Sequence, residues 1–501
     1  MSVRGSRRGR RLERGRSVFG SGMIMALGLV LAQGAPDAAR DAVSYEVTPV
    51  VGPGGLDGID ISLSFLGDRD GRTEVGLPTR WAGTQRLDRI ITDVRVEGAR
   101  LQRRRSGLRL RHRGGAPIRV TYRVRQDYAG PPRVGFDRPY RPSTLRDGFT
   151  LIGRTVFARV EGRDPDPVRF HWGEPAPAWH YASDLDPLEG TFIDFDTLAD
   201  SVLIGGPDLT LRTRQSSAGP VRIAVLGAWG FSPDDLADRF VEIGEGSAEF
   251  WGDDGQPTFL ALTPLAGDPS ARVQSGLGLG DGIAVWLTPN QTLDEASHVL
   301  IHEQQHAWLP ARVGGLADGP SQVLDFWFSE GFTDFYAYRM ALRLGLISPE
   351  AYVAALDEAL ALQARTPPGW TNASNANAFF NRPGALAVPY HRGLLLALSL
   401  DSRLRTTSGG TRDLDDVILA MRSGQGMAPQ RLIRAYSDMG GGDIAPDLHR
   451  HLDLGWPIGV STDGLGDCIR VIERPDRLYL EPGPGLIGKG TQSCQQRLSG
   501  R

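Results

Sequence analysis

His302-Glu303-Gln304-Gln305-His306 constrains this chain more than any other stretch, because two histidines four positions apart on a helix face the same way. Both imidazoles then reach one metal ion. Glu303, directly after the first histidine, stands where a carboxylate can take a proton from a water held at that ion. The surroundings predict the helix independently. Thr292-Leu293-Asp294-Glu295 reads as a capping box, Pro310 follows the pentad, and Leu293, Ala296, Val299, Leu300 and Ala307 supply an apolar face.

A catalytic zinc holds three protein side chains and keeps a fourth position open for water, so a second element must complete the set. His298 shares the helix face with His302 and His306. However, about 12 Å of helix rise separates His298 from His306, too far for one ion with bonds of ~2 Å. His298 is expected to be structural or to lie near the site. The third ligand is expected to be Glu330, an acid at the centre of the aromatic-rich segment Phe326 to Tyr336. A glutamate buried among such neighbours needs a cation or a donor. Asp334, one turn on, is placed to accept the free N–H of a zinc-bound histidine, with a solvent-facing carboxylate as the plain alternative.

The start of the chain bears on where such a site would operate. Seven arginines and one glutamate fill the first sixteen residues, followed by an apolar run from Val18 to Ala32 and the small-x-small site Ala32-Gln33-Gly34. Residues 1–34 therefore read as a signal peptide, which predicts a periplasmic or secreted protein. The apolar run is short for a spanning helix, so an uncleaved membrane anchor is the lesser alternative. The segment carries +6, so of the formal −3 of the whole chain the remainder carries −9. No global basic field attracts nucleic acid. Arginines 103, 104, 105, 109, 111 and 113 cluster locally, but Leu108 and Leu110 alternate with Arg109 and Arg111 as in a strand with one solvated face. Cys468 and Cys494 are the only cysteines. In an oxidising compartment they are expected to form a disulfide, and without a nearby histidine they make a poor metal site.

Between these ends the chain divides into three parts. Ile59, Ile61, Leu63 and Phe65 alternate with Asp60, Ser62 and Ser64, and Ile118, Val120, Tyr122 and Val124 repeat the pattern. Residues 43–215 thus read as an all-β sandwich. Mixed signals follow over 216–440, with strands at 221–225 and 258–262 and helices opened by Ser232-Pro233 and Ser348-Pro349, which makes an α+β domain around the histidine helix. Residues 366–386, rich in Asn, Gly and Pro, read as a loop near the cleft. Residues 441–501 read as a small C-terminal tail closed by the disulfide.

Three blocks together resemble a known family. They are Ile301 to Trp308, then Trp327 to Tyr336 with Leu344-Gly345-Leu346-Ile347-Ser348, then Pro389-Tyr390-His391-Arg392-Gly393 running into Leu400 to Arg405 and Asp413 to Val417. Their order and spacing are similar to the glycyl aminopeptidase family of zinc metallopeptidases, gluzincins related to aminopeptidase N and thermolysin. The resemblance implies a β-sandwich followed by a thermolysin-like catalytic domain, Zn2+ as cofactor and a peptide as substrate. It also implies that Tyr390 donates to the oxyanion of the tetrahedral intermediate, a contribution of about 3 kcal/mol for such a donor. It assigns nothing to His391. Related aminopeptidases carry a glutamate that grips the substrate's amino group in a glycine-rich segment upstream of the histidines. The matching stretch here, Gly276 to Gly282, has no glutamate and offers only Asp281. Amino-terminal specificity is therefore in question. The runner-up reading is an inactive member that binds peptides or a partner. A zinc hydrolase of a non-peptide amide is a third.

Overall fold

The computed structural model describes residues 42–500 apart from 133–139, 164–166, 254, 267–269, 317–318, 423–424 and 487–490. The expected signal peptide lies outside the described residues. Among them, no helix is long and apolar enough to cross a membrane.

The alternating pattern at the front of the chain does form strands. Val43–Gly52, Gly55–Leu66, Pro117–Val124 and Ile91–Glu97 line up in one sheet, with Val168–Trp172 added beside the first of them. The register sets Ile61 opposite Tyr122, Leu63 opposite Val120 and Phe65 opposite Ile118, all of them buried. A second sheet contains Arg72–Gly76, Gly107–Arg111 and Arg100–Arg104, and here Leu108 and Leu110 are buried while Arg103, Arg104 and Arg105 are exposed. The arginine cluster is thus the solvated side of a strand pair, and Arg109 is paired with Glu74.

A third sheet joins this β-rich part to the rest. Its central strands, Gly148–Ile152 and Val202–Gly206, are buried along their whole length because both faces are covered. Leu151 and Leu203 point into the apolar cluster of the first two sheets, whereas Ile152 and Ile204 point into a cluster with Ala224, Phe259, Ala261, Ala284 and Trp286.

Those last residues belong to a five-stranded mixed sheet, ordered Thr210–Ser216, Gly219–Val225, Phe259–Pro264, Gly282–Leu287, Gln274–Leu279. Its three inner strands run parallel, and the first two are linked through the helix Pro233–Trp251, the crossover that parallel neighbours require. The strand Thr210–Ser216 pairs with Gly219–Val225, so this sheet begins before residue 216, where the pattern placed the start of the second domain. Helices Leu293–Gln305, Gly331–Arg343, Pro349–Arg365 and Ala387–Thr407 follow.

Two stretches differ from the reading of the pattern. Within residues 366–386 the structure forms a short helix, Asn372–Ala378, capped by the Thr371 side chain on the Ser374 amide. Asparagines are poor helix formers, but the cap and the bond from Asn372 to the Leu324 carbonyl hold them there. The stretch after 440 does not stand apart as a tail. Leu452, Ile458, Leu465, Leu480 and Leu498 enter the same apolar cluster as the helices Leu293–Gln305 and Gly331–Arg343, and Asp357 on helix Pro349–Arg365 receives Arg477 at 2.7 Å and the Leu480 amide at 2.9 Å. Cys468 and Cys494 are bonded, closing this stretch on itself.

Candidate metal centre

The capping box of the histidine helix is formed in both directions, between Thr292 and Glu295. Ala296 and Leu300 are fully buried and Val299 nearly so, which turns His302 and Glu303 toward the interior with only 5% and 6% of their surfaces exposed. His306 ends the helix as its C-cap. Opposite stands Glu330, at the junction between the short helix Phe326–Ser329 and the helix Gly331–Arg343. A third helix, Ala387–Thr407, carries Tyr390. Two glycines let it come close: a Cβ on Gly331 would run into Gly393 and lie 2.7 Å from the Pro389 carbonyl, and one on Gly393 would run into the Trp327 carbonyl. The Glu-Gly and Arg-Gly pairs of the sequence are where these backbones touch.

The ligand atoms converge. His302 Nε2 and His306 Nε2 each lie 3.5 Å from Glu330 Oε2, and the three groups offer donor atoms within 4.8 Å of one another. Tetrahedral zinc with bonds of ~2 Å separates its ligand atoms by about 3.3 Å, close to the two histidine–glutamate separations. The outer nitrogens are held as well. His306 Nδ1 sits 2.9 Å from the Leu309 carbonyl, and His302 Nδ1 sits 3.4 Å from Asp334 Oδ1. With both outer nitrogens facing acceptors, each ring can keep a proton there and present Nε2 to the space beside Glu330. His298 approaches the same Asp334 oxygen at 2.9 Å and stacks on Tyr338, so it supports the acid and does not face the ion site.

Charge is concentrated here. Burial would lower the His302 imidazole, but Asp334, Glu330 and Glu303 more than reverse this and push it up to about 10. His306 is raised in the same way against burial, chiefly by Glu330. Burial opposes the charge on Glu330, yet His306 and His302 hold it well below the usual carboxylate range. Glu303 moves the other way, raised by burial and by Glu330, as suits a group that gains a proton during a reaction. The Tyr390 ring stacks on His302 with centroids 5.7 Å apart, and burial followed by Glu330 raises its phenol, keeping the O–H as a donor.

Asp281 and His391 lie elsewhere. Asp281 is exposed at the turn between strands Gln274–Leu279 and Gly282–Leu287, where its carbonyl accepts from the Thr258 and Phe259 amides, and it acts electrostatically on the half-buried Asp184. His391 is buried 3.3 Å from Thr366 Oγ1, and burial with Arg392 lowers it to about 4. The glycine-rich strand has a different part from the one its sequence suggested. A Cβ on Gly276 would collide with the Glu303 carboxylate, and the Gly278 amide hydrogen-bonds to that carboxylate. Tyr140 also reaches this place from the β-rich part, and no sequence signal pointed to it: a tyrosine between prolines reveals nothing about a contact 136 residues away.

The profile of the M61 glycyl aminopeptidase family matches residues 295–393. No curated protein matches. Among solved structures, the aminopeptidase N family protein from Idiomarina loihiensis superposes with a TM-score of 0.69 at 18% identity, covering 86% of this chain and 79% of that one. An M1 zinc metallopeptidase from Deinococcus radiodurans gives a TM-score of 0.47 at 17% identity, over 80% of this chain and 91% of that one. The first of these shares the fold, while the matched segment holds His302, Glu303, His306, Glu330 and Tyr390 together. The likeness to the M61 glycyl aminopeptidase family thus lies in residues 295–393, the segment that carries the two histidines, both glutamates and Tyr390.

Proposed function

We propose that the protein is an exported peptidase of aminopeptidase-like chemistry, built as a β-sandwich followed by a thermolysin-like catalytic domain. His302, His306 and Glu330 hold the zinc ion, and Asp334 fixes the His302 ring. When bound, the ion supplies positive charge that polarises the scissile carbonyl and makes water a better acid. Glu303 takes the water's proton and later delivers it to the leaving amine, a transfer suited to its raised pKa. Tyr390 donates its O–H to the carbonyl oxygen as charge develops there. The observation that carries this reading is the convergence of His302 Nε2 and His306 Nε2 on Glu330 Oε2, each at 3.5 Å, with Glu303 and Tyr390 beside them.

Export is read from residues 1–34. Recognition of the substrate's amino group is proposed to be weak, because Asp281 is turned away and the carboxylates acting on Tyr390 are Glu330, Glu303 and Asp334, all already engaged. Digestion of a peptide library by the zinc-loaded protein, followed by mass spectrometry, tests the reading. Peptide cleavage that a zinc chelator abolishes is expected, and an intact library after long incubation with stoichiometric zinc overturns it.

A further inference from the structure

Among the described residues, strand Gln274–Leu279 is the last of its sheet and pairs on one side only, with Gly282–Leu287. An edge strand presents backbone groups to which an extended peptide can add as a further strand. This edge passes the reaction centre, since Gly276 and Gly278 lie against Glu303. At that point Tyr140 intrudes. Its O–H donates to the Gly276 carbonyl at 3.5 Å, and Glu303 and Glu330 are near enough to act on its phenol.

The ring is not free to swing aside. Trp286, from the neighbouring strand, meets it edge-on at 6.1 Å, and Trp81 does so at 5.8 Å. Trp81 belongs to a small hairpin, Arg80–Trp81 with Thr84–Gln85, whose Gly83 is covered by the Phe380 ring so closely that a Cβ would collide with it. Phe380 in turn stacks edge-on against Phe379, just after the helix Asn372–Ala378. The hairpin of the β-rich part therefore spans to the segment that precedes Tyr390, with Tyr140 beneath it.

We propose that Tyr140 is a specificity-determining residue. By capping the Gly276 carbonyl beside the reaction centre, it stops a peptide from continuing along the edge strand on that side, so the enzyme removes terminal residues and does not cut within chains. Selection of the chain end is then steric, consistent with the missing ionic anchor. The inference rests on the metallopeptidase reading above, and its test separates the two.

One unstructured peptide, and the same peptide extended at its amino end by one, two and three residues, are digested by wild type, Tyr140→Phe and Tyr140→Ala, with zinc per chain measured in each. Wild type is expected to release residues stepwise from the end. Tyr140→Ala is expected to raise internal over terminal cleavage by about tenfold or more, with zinc unchanged, and Tyr140→Phe, which keeps the ring but not the hydrogen bond, to fall between. An unchanged product ratio in Tyr140→Ala with full zinc overturns the proposal. Calorimetry of the same peptides with Glu303→Gln protein, with and without Tyr140→Phe, reads the cap without turnover. The extended peptides should gain about threefold in affinity when the hydroxyl is removed, and equal affinities overturn the proposal even if Tyr140→Ala does not fold. A wild type that cleaves nothing while its peptides still show this gain counts against the catalytic reading alone.

Discussion

Two clusters of buried charge hang on the same stretch of chain, and they are balanced differently. Toward the end of helix Gly331–Arg343, Arg339 bonds Asp415 at 2.6 Å and Asp401 at 2.8 Å, and Arg405 adds Asp401 at 3.0 Å and Asp413 at 2.8 Å. The cations of this network are guanidiniums, which cannot leave or lose their protons. At the head of the helix, Glu330, Asp334 and Glu303 face imidazoles, which are neutral when they act as ligands. Those carboxylates need a cation from outside or protons on the histidines. A buried cluster with guanidiniums of its own braces three helices, whereas one that lacks fixed positive charge is a place for a metal.

Substitutions can break this contrast at either end. The largest effect is expected from Glu303→Gln, which keeps the ligands but removes the proton acceptor: turnover should fall by about 10² to 10⁴ while zinc per chain stays constant. Full activity in that variant, measured beside metal analysis, would show that another group serves as base. Arg339→Met should instead leave chemistry alone and cost stability. Taking the guanidinium from between Asp401 and Asp415, both fully buried, should destabilise the fold by roughly 3 to 5 kcal/mol in a denaturant titration, with zinc per folded chain retained. A loss under 1 kcal/mol would mean that the network is ornamental.

The metal site should also show its protons. In the metal-free protein the His302 imidazole is pushed up to about 10 and His306 is raised too, so at neutral pH zinc must displace the His302 proton to bind. Affinity is therefore expected to rise with pH between 7 and 9 by up to about tenfold per unit for each proton displaced, and to level off only above the raised pKa. Competition with a chelator at several pH values measures the slope. A flat profile would mean that the imidazoles are already neutral.

How much of this was legible in the sequence follows from the range of the interactions. His302, Glu303 and His306 sit within a helical turn and a half, and Glu330 and Asp334 within one turn, so spacing alone places each group on a face. The period-two runs at 59–65 and 118–124 were equally readable, because burial on one face writes itself into alternation. What could not be read depends on packing between distant segments. Asp401, Arg405, Asp413 and Asp415 stood in the resembling blocks without a role until Arg339 was seen between them. Gly276 and Gly278 read as a segment missing its glutamate, and only the fold shows that they make room for Glu303. The burial of the stretch after 440 was hidden because its apolar residues are scattered among Gly and Pro with no period.

The smallest expected effect concerns the substrate's free amine, and it returns to the charge balance of the site. A site that anchors an amino group needs a carboxylate not already committed. Here Glu330 faces the His302 and His306 imidazoles, Asp334 faces His298 and His302, Glu303 is bonded to the Gly278 amide, and Asp281 stands at an exposed turn. Blocking the amine should then cost less than the ~1.5 to 3 kcal/mol of a lost charged hydrogen bond. Acetylated and free forms of one good peptide are expected to be cleaved with kcat/KM values within about tenfold of each other, a ratio worth ~1.4 kcal/mol. If the free amine is preferred by a hundredfold or more, one of these carboxylates changes partner when substrate binds. Asp281→Asn is the first variant to make in that event, since Asp281 lies outside the His302, His306 and Glu330 cluster.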